Sequence, residues 1–218
     1  MENIKKILCI GAHADDIEIA MGGTVASYIQ RGYIVKIIIM SDSSYSNYDG
    51  RVCRSKKQAL QEEKAALNIL GITDYTFLNF PTKDVPYTAK SIELLNRYMD
   101  EYKPNMIFTH WIFDTHQAHR NTGLATVSAA RNYNNIFFYE PFPPSGRSYL
   151  PFKTQLYSDI SKTINQKIES LKQHTSQYLK YGEEWIDAVQ ARAKLRGFEC
   201  GKKYSECFEI LRMELSYE

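Results

Sequence analysis

Five short apolar runs, each followed by a stretch with helical spacing, constrain this chain more than any other feature. The runs are Lys6–Gly11 (KILCIG), Val35–Met40 (VKIIIM), Tyr75–Phe80 (YTFLNF), Met106–Thr109 and Ile136–Tyr139 (IFFY). Runs this short and apolar read as buried strands. Helical spacing covers about Ile19 to Arg31, Lys56 to Leu70, Ala89 to Tyr102 and Thr122 to Arg131, with Gly32, Gly71 and Pro104 as stops. Strands that alternate with helices predict an α/β fold, with a Rossmann-like, mainly parallel sheet and helices on both faces. The Gly22-Gly23 pair is expected to let the first helix pack close to the sheet. Ser41 to Arg54 reads as a polar loop.

The last third differs. Asp159 to Tyr181 and Glu183 to Arg196 read as two helices and Cys207 to Met213 as a strand, giving a C-terminal helical extension with a closing strand. A chain of 218 residues fits one domain spanning 1–218, with its core over about 1–150 and the extension over about 151–218.

Composition excludes several classes. No stretch approaches the roughly 20 apolar residues of a membrane span. Met1 to Lys6 enters a short apolar run without a long hydrophobic region or cleavage site, so no secretory leader is expected. The net charge is +2 and the basic residues are scattered, without the stripe that nucleic-acid binding requires. Cys9, Cys53, Cys200 and Cys207 form neither a C-x-x-C pair nor a framework, which suits reduced thiols in a cytoplasmic protein.

The chemistry concentrates in two clusters. Of five histidines, four lie in Ala12-His13-Ala14-Asp15-Asp16, directly after the first strand, and in the segment from His110 through Asp114 and His116 to His119, directly after the fourth. In a doubly wound sheet, ligands bind beyond the carboxyl ends of strands, where strand order reverses, so both clusters face one rim. Imidazole and carboxylate suit Zn²⁺, and a catalytic zinc takes about three protein ligands. His13, one of the paired aspartates and one or two later histidines would form that set, leaving the other aspartate as a general base. Alone, Asp-Asp after a strand is a helix N-cap and a buried His a satisfied core residue. Four histidines with three aspartates at two strand ends favour the functional reading.

The run Gly11 to Glu18 (GAHADDIE) followed by Met21-Gly22-Gly23-Thr24 resembles the first signature of LmbE/PIG-L deacetylases, A-H-P-D-D-x-E then G-G-T. Asp114 to Arg120 (DTHQAHR) resembles their second, D-x-H-x-D-H-R. His174-Thr175-Ser176-Gln177 and Tyr204-Ser205-Glu206-Cys207-Phe208 are similar to their closing elements. The resemblance implies one zinc per chain on His13, Asp16 and His119, with Asp15 as general base. His116 would stabilise the oxyanion or protonate the leaving amine. The implied reaction removes an N-acetyl group from a small N-acylated amino-sugar conjugate. Alternatives are removal of formyl or another acyl group from a sugar nucleotide or glycan, and a non-catalytic metal- or ligand-binding relative. Family analogy also implies a trimer or hexamer.

Three departures stand out. Ala14 replaces the usual proline, and Ala118 replaces an aspartate that would partner a histidine, a role Asp114 could take over. In the substrate loop Arg54, ahead of Arg51, is expected to hold substrate. Beyond these, His110 is expected to support the metal shell, Trp111 to line the pocket or the core, and His174 to be structural. Arg147 is a weaker candidate for substrate.

Overall fold

The computed structural model describes residues 5–215. Met1 to Ile4, on which the absence of a leader was expected, and the last three residues lie outside them. The described residues form strands β1 (Lys6–Gly11), β2 (Ile34–Ser41), β3 (Tyr45–Ser46), β4 (Val52–Arg54), β5 (Asp74–Phe80), β6 (Met106–His110), β7 (Ile136–Tyr139), β8 (Leu156–Asp159) and β9 (Ser205–Arg212). The helices are α1 (Asp16–Gln30), α2 (Lys56–Leu70), α3 (Ala89–Tyr102), α4 (Gln117–Ala129), α5 (Ile164–Lys172), α6 (Thr175–Tyr181) and α7 (Glu183–Glu199).

Seven strands form one sheet in the order β5-β2-β1-β6-β7-β9-β8, and β3 pairs β4 as a separate ribbon. The first five are parallel, whereas β9 runs antiparallel to both its neighbours. Successive residues of β1 point to opposite faces, and both faces are dry. Ile7 and Cys9 join α1 and α2 through Ile17, Met21, Val25, Leu67 and Leu70. Leu8 and Ile10 join α3 and α4 through Leu95, Met99, Ala125 and Ala129. Burial on both faces explains why the strands read as unbroken apolar runs. The chain moves outward from β1 to β2 and β5, then returns to place β6 on the other side of β1. The switch point therefore lies between Gly11 and His110.

The C-terminal part is not only an appendage, because β9 and β8 extend the sheet beyond β7. Gly23 shows how it docks: a Cβ there would lie 2.8 Å from Ile160, so α1 seats against the segment leading into α5. The expected close approach to the sheet is instead an approach to this extension. No helix among the described residues is long and apolar enough to cross a membrane.

Candidate metal centre

Beyond β1 the chain turns through a strained backbone. Asp15 has φ 116°, in the left-handed region that a residue with a Cβ avoids. Such a conformation costs on the order of 1–3 kcal/mol and persists only where its surroundings enforce it. The preceding residue is held on both sides: Ala14 N–H donates to Ser43 Oγ at 2.9 Å, and Ala14 O accepts from an Arg54 NH group at 3.0 Å. Asp15 is the N-cap of α1, yet its side chain caps nothing. Asp16 takes the role of acceptor, with Oδ2 receiving Ala12 N–H at 3.0 Å and His13 N–H at 2.7 Å. The Asp15 carboxylate is thereby left to face the cleft.

Beyond β6, Asp114 organises the second rim. Its Oδ1 accepts from His116 N–H at 2.8 Å and Gly146 N–H at 2.9 Å, and its Oδ2 lies 3.0 Å from His119 Nδ1. Asp114 thus partners the ring of His119 and only the backbone of His116. Helix α4 sits close to the strand end because residue 123 is glycine: a Cβ there would lie 2.6 Å from His110 O. His116 is the N-cap of α4, and its ring stacks on that of His119 with centroids 4.3 Å apart.

The two rims bring three donor atoms together. His13 Nδ1 lies 3.2 Å from His119 Nε2 and 3.5 Å from Asp16 Oδ2, and His119 Nε2 lies 3.3 Å from Asp16 Oδ1. Bonds of about 2.0–2.1 Å in a tetrahedral site place ligand atoms about 3.3 Å apart, so these residues could hold Zn²⁺. The second nitrogen of His119 on Asp114 is the outer contact that orients metal-ligating histidines. His110 belongs to the support: its Nε2 lies 2.9 Å from Asp16 Oδ2 and 3.0 Å from Ala12 N. One ring nitrogen cannot donate and accept together. Ala12 N–H has Asp16 Oδ2 as its acceptor, so His110 Nε2–H donates to Asp16.

A further group, Glu18, Glu63 and His174, is fully buried behind Asp15. His174 Nδ1 lies 3.4 Å from an Arg54 NH₂ group, and Nε2 lies 3.7 Å from Glu18 and 3.8 Å from Glu63. A guanidinium only donates, so Nδ1 accepts and the proton sits on Nε2, facing the carboxylates. That tautomer leaves His174 no lone pair for a metal. Burial, and then the charge of Glu18, pushes the Glu63 carboxyl well above its usual range.

Electrostatics separate the two aspartates. Burial and then the charge of Asp16 raise the Asp15 carboxyl to about 6, against the opposing pull of Arg54, His174 and His13. Burial acts on Asp16 too, but His119 and His110 outweigh it and hold its carboxyl well below the usual range. Burial lowers His119, yet Asp16 and Asp114 overcome it and lift the ring to about 10. The carboxylates concentrate positive charge between His13 and His119, where a cation would take the place of the proton. Burial and then the charge of His119 lower His116 to about 4.

These groups line a cleft of about 540 Å³. His13, Asp15, Asp16, His116 and His119 form its floor, Pro141 to Ser145 one wall, and Tyr45, Gln177, Lys180 and Glu184 its remaining border. Of the sequence candidates, Arg51 and Arg147 are exposed outside this lining, and Trp111 is buried against Phe113 and Phe152. Arg54 reaches the cleft but is only 2% exposed, and its hydrogen bonds run to Ala14 O and His174 Nδ1 within the protein. Ser43, Glu62 and Glu63 did not emerge from the sequence. A signal existed for the glutamates: Glu62 and Glu63 share the i, i+3, i+4 stripe of Ala59, Ala66, Leu67 and Leu70 on α2.

A sequence profile of the family described as GlcNAc-PI de-N-acetylase (PIG-L) matches residues 8–130. The chain is 26% identical over 219 residues to a diacetylchitobiose deacetylase of Thermococcus kodakarensis, covering 94% of this chain and 82% of that protein. The structure resembles the N,N'-diacetylchitobiose deacetylase of Pyrococcus horikoshii with a TM-score of 0.83 at 22% identity, covering 97% of this chain and 85% of the other. It also resembles a 4-carboxy-2-hydroxymuconate hydratase of Pseudomonas putida KT2440, with a TM-score of 0.81 at 15% identity and 99% of both chains covered. The fold thus serves more than one reaction, and the chemistry has to be read from the site.

Proposed function

The chain belongs to the PIG-L family of GlcNAc-PI de-N-acetylases, and from that premise we propose that it is a zinc-dependent hydrolase removing the N-acetyl group from a small conjugate of the N-acetylglucosamine type. The observation that carries this reading is the donor triad His13, Asp16 and His119 with the free carboxylate of Asp15 beside it on the floor of one cleft. The 26% identical relative named as a deacetylase of diacetylchitobiose supports the substrate class.

His13, Asp16 and His119 would hold the metal. Zinc bound there would supply Lewis acidity, polarising an amide carbonyl and lowering the pKa of a water to about 7. Asp15, raised to about 6, is an effective base near neutral pH and accepts the proton of the attacking water. His116, lowered to about 4, is neutral, so its N–H donates a hydrogen bond to the oxyanion that develops on the carbonyl. Cleavage of the C–N bond requires a proton at nitrogen, and Asp15 holds the one it has just taken. Acetate and a free amine result. Ala118 does not disable the metal site, because Asp114 supplies the carboxylate that His119 needs.

The test is to purify the protein without added metal, measure zinc per chain, and assay acetate and formate release from N-acetylglucosamine, its glycosides and N,N'-diacetylchitobiose. About one zinc per chain and acetate release are expected. Asp15→Asn should keep the zinc and lose about 10²–10⁴-fold in rate. Formate release in place of acetate would move the reading to a deformylase. Zinc without either product would make the chain a metal-binding relative, and failure to take up zinc would overturn the reading altogether.

A further inference from the structure

We propose that Arg54 is a positioning residue that clamps the strained Ala14–Asp15 backbone, and that the His174-Thr175-Ser176 segment of the C-terminal part acts through Glu62 to hold it. The inference rests on the reading of Asp15 as the base.

The chain of contacts is continuous. Arg54 donates to Ala14 O at 3.0 Å, the carbonyl of the peptide that leads into Asp15 with its φ of 116°, and the same NH group stands 3.8 Å from Asp15 Oδ2. Its Nε lies 3.1 Å from Glu62 Oε2, off the N–H direction, as a contact between charges. Its remaining NH₂ group faces His174 Nδ1 at 3.4 Å. Glu62 is itself fixed by Thr175 Oγ1 at 2.8 Å, Ser176 N–H at 2.8 Å, Ser176 Oγ at 2.7 Å and Gln58 at 3.0 Å. His174 leaves helical geometry at φ −77°, ψ 66°, and that break between α5 and α6 turns Thr175 and Ser176 toward Glu62.

A substrate-binding arginine presents its fork to the ligand. Here one NH group is bonded to Ala14 O, the other faces His174 Nδ1, Nε lies against Glu62 and the side chain is only 2% exposed, so its leverage on substrate runs through Asp15. Arg54 was expected to hold substrate, and its contacts place it one layer further back. A general base misplaced by about 1 Å costs on the order of 10²-fold in rate, which gives the clamp its leverage.

The experiment compares wild type with Arg54→Ala, Arg54→Lys and Ser176→Ala, using the best acetylated substrate of the panel and zinc-loaded protein. Arg54→Ala should lose about 10²-fold in kcat with KM within about threefold and zinc retained. Millimolar guanidinium ion should restore part of that loss, and Ser176→Ala should lose kcat in the same manner by a smaller factor. A rise in KM at unchanged kcat would assign Arg54 to substrate and overturn the proposal. Crystal structures of wild type and Arg54→Ala read the clamp without turnover: Asp15 should leave positive φ or shift its carboxylate by about 1 Å in the variant. An Asp15 that stays in place would overturn the proposal. A wild type that releases no acetate while Asp15 moves in the variant would sink the deacetylase reading and leave the clamp standing.

Discussion

At the scale of residues, the site divides its carboxylates by environment. Asp15 and Asp16 are adjacent, yet Asp16 receives two backbone N–H groups and faces two histidines, whereas Asp15 has no hydrogen-bond donor of its own and is raised by burial and then by its neighbour. Spacing alone could not tell them apart, since their roles follow from the positive φ at Asp15 that turns the two side chains in different directions. Asp114 is separable from both. Asp114→Asn keeps an amide oxygen for His116 N–H and Gly146 N–H but removes the charge beside His119 Nδ1. Loss of an outer-shell carboxylate on a metal-binding histidine lowers metal affinity by about 10–100-fold. Titration of zinc against a competing chelator should show a loss in that range. An affinity within twofold of wild type would mean that His119 needs no such partner.

At the scale of elements, the helices joining the parallel strands were the most legible. Lys56–Leu70 and Ala89–Tyr102 match their expected bounds because each has an intact apolar stripe, an N-cap side chain (Ser55, Thr88) and a clear stop. The misses have tertiary causes. The expected stretch from Thr122 lies in α4, and the sequence left open its start at Gln117, where Asp114 accepts the His116 N–H and fixes the first turn. The helix expected over Asp159 to Tyr181 is broken at His174, where the contacts to Glu62 outweigh local propensity. Strand β8 has only four residues and is defined by pairing with β9, and β3–β4 is a ribbon too short to give a pattern. Helix α1 hides a further dependence. Its backbone departs from helix at Met21 (φ −146°), and Glu206 of β9 accepts the Gly23 and Thr24 N–H groups at 3.0 and 2.6 Å. Lys167 of α5 pairs with that carboxylate and donates to Ile19 O at 2.8 Å. Removing one member of a buried pair strands the other, at about 3–5 kcal/mol. Glu206→Ala should therefore lower unfolding free energy by about that amount in urea titrations. Lys167→Met paired with Glu206→Gln should cost less than Glu206→Ala, because neither member of the pair is left as a stranded charge. Losses below about 1 kcal/mol for Glu206→Ala would show that water replaces the carboxylate at the kink.

At the scale of the molecule, the site is a consequence of topology. His13 and Asp16 follow the first strand of the sheet, and His119 follows the fourth in sequence among the parallel strands, yet these strands are neighbours because the chain reverses its winding between them. The sequence showed where each cluster stands relative to its own strand, but adjacency depends on pairing across about 100 residues and is settled by packing both faces at once. A metal at the triad therefore adds a bond between the two rims, beside the His110–Asp16 hydrogen bond and the β1–β6 pairing that already join them. A ligand that binds only the native state stabilises it by RT ln(1 + [L]/Kd), about 4 kcal/mol when free zinc is 1,000 times its Kd. A chain of this size gains about 2–4 °C per kcal/mol, so chelation should lower the midpoint of thermal unfolding by on the order of 10 °C. Returned zinc should restore it. His119→Ala removes the ligand contributed by the second half, so its midpoint should not respond to the chelator. If the wild type melted at the same temperature with and without chelator, the triad would not be binding metal in the folded state. If His119→Ala still responded, the stabilising metal would sit elsewhere in the chain.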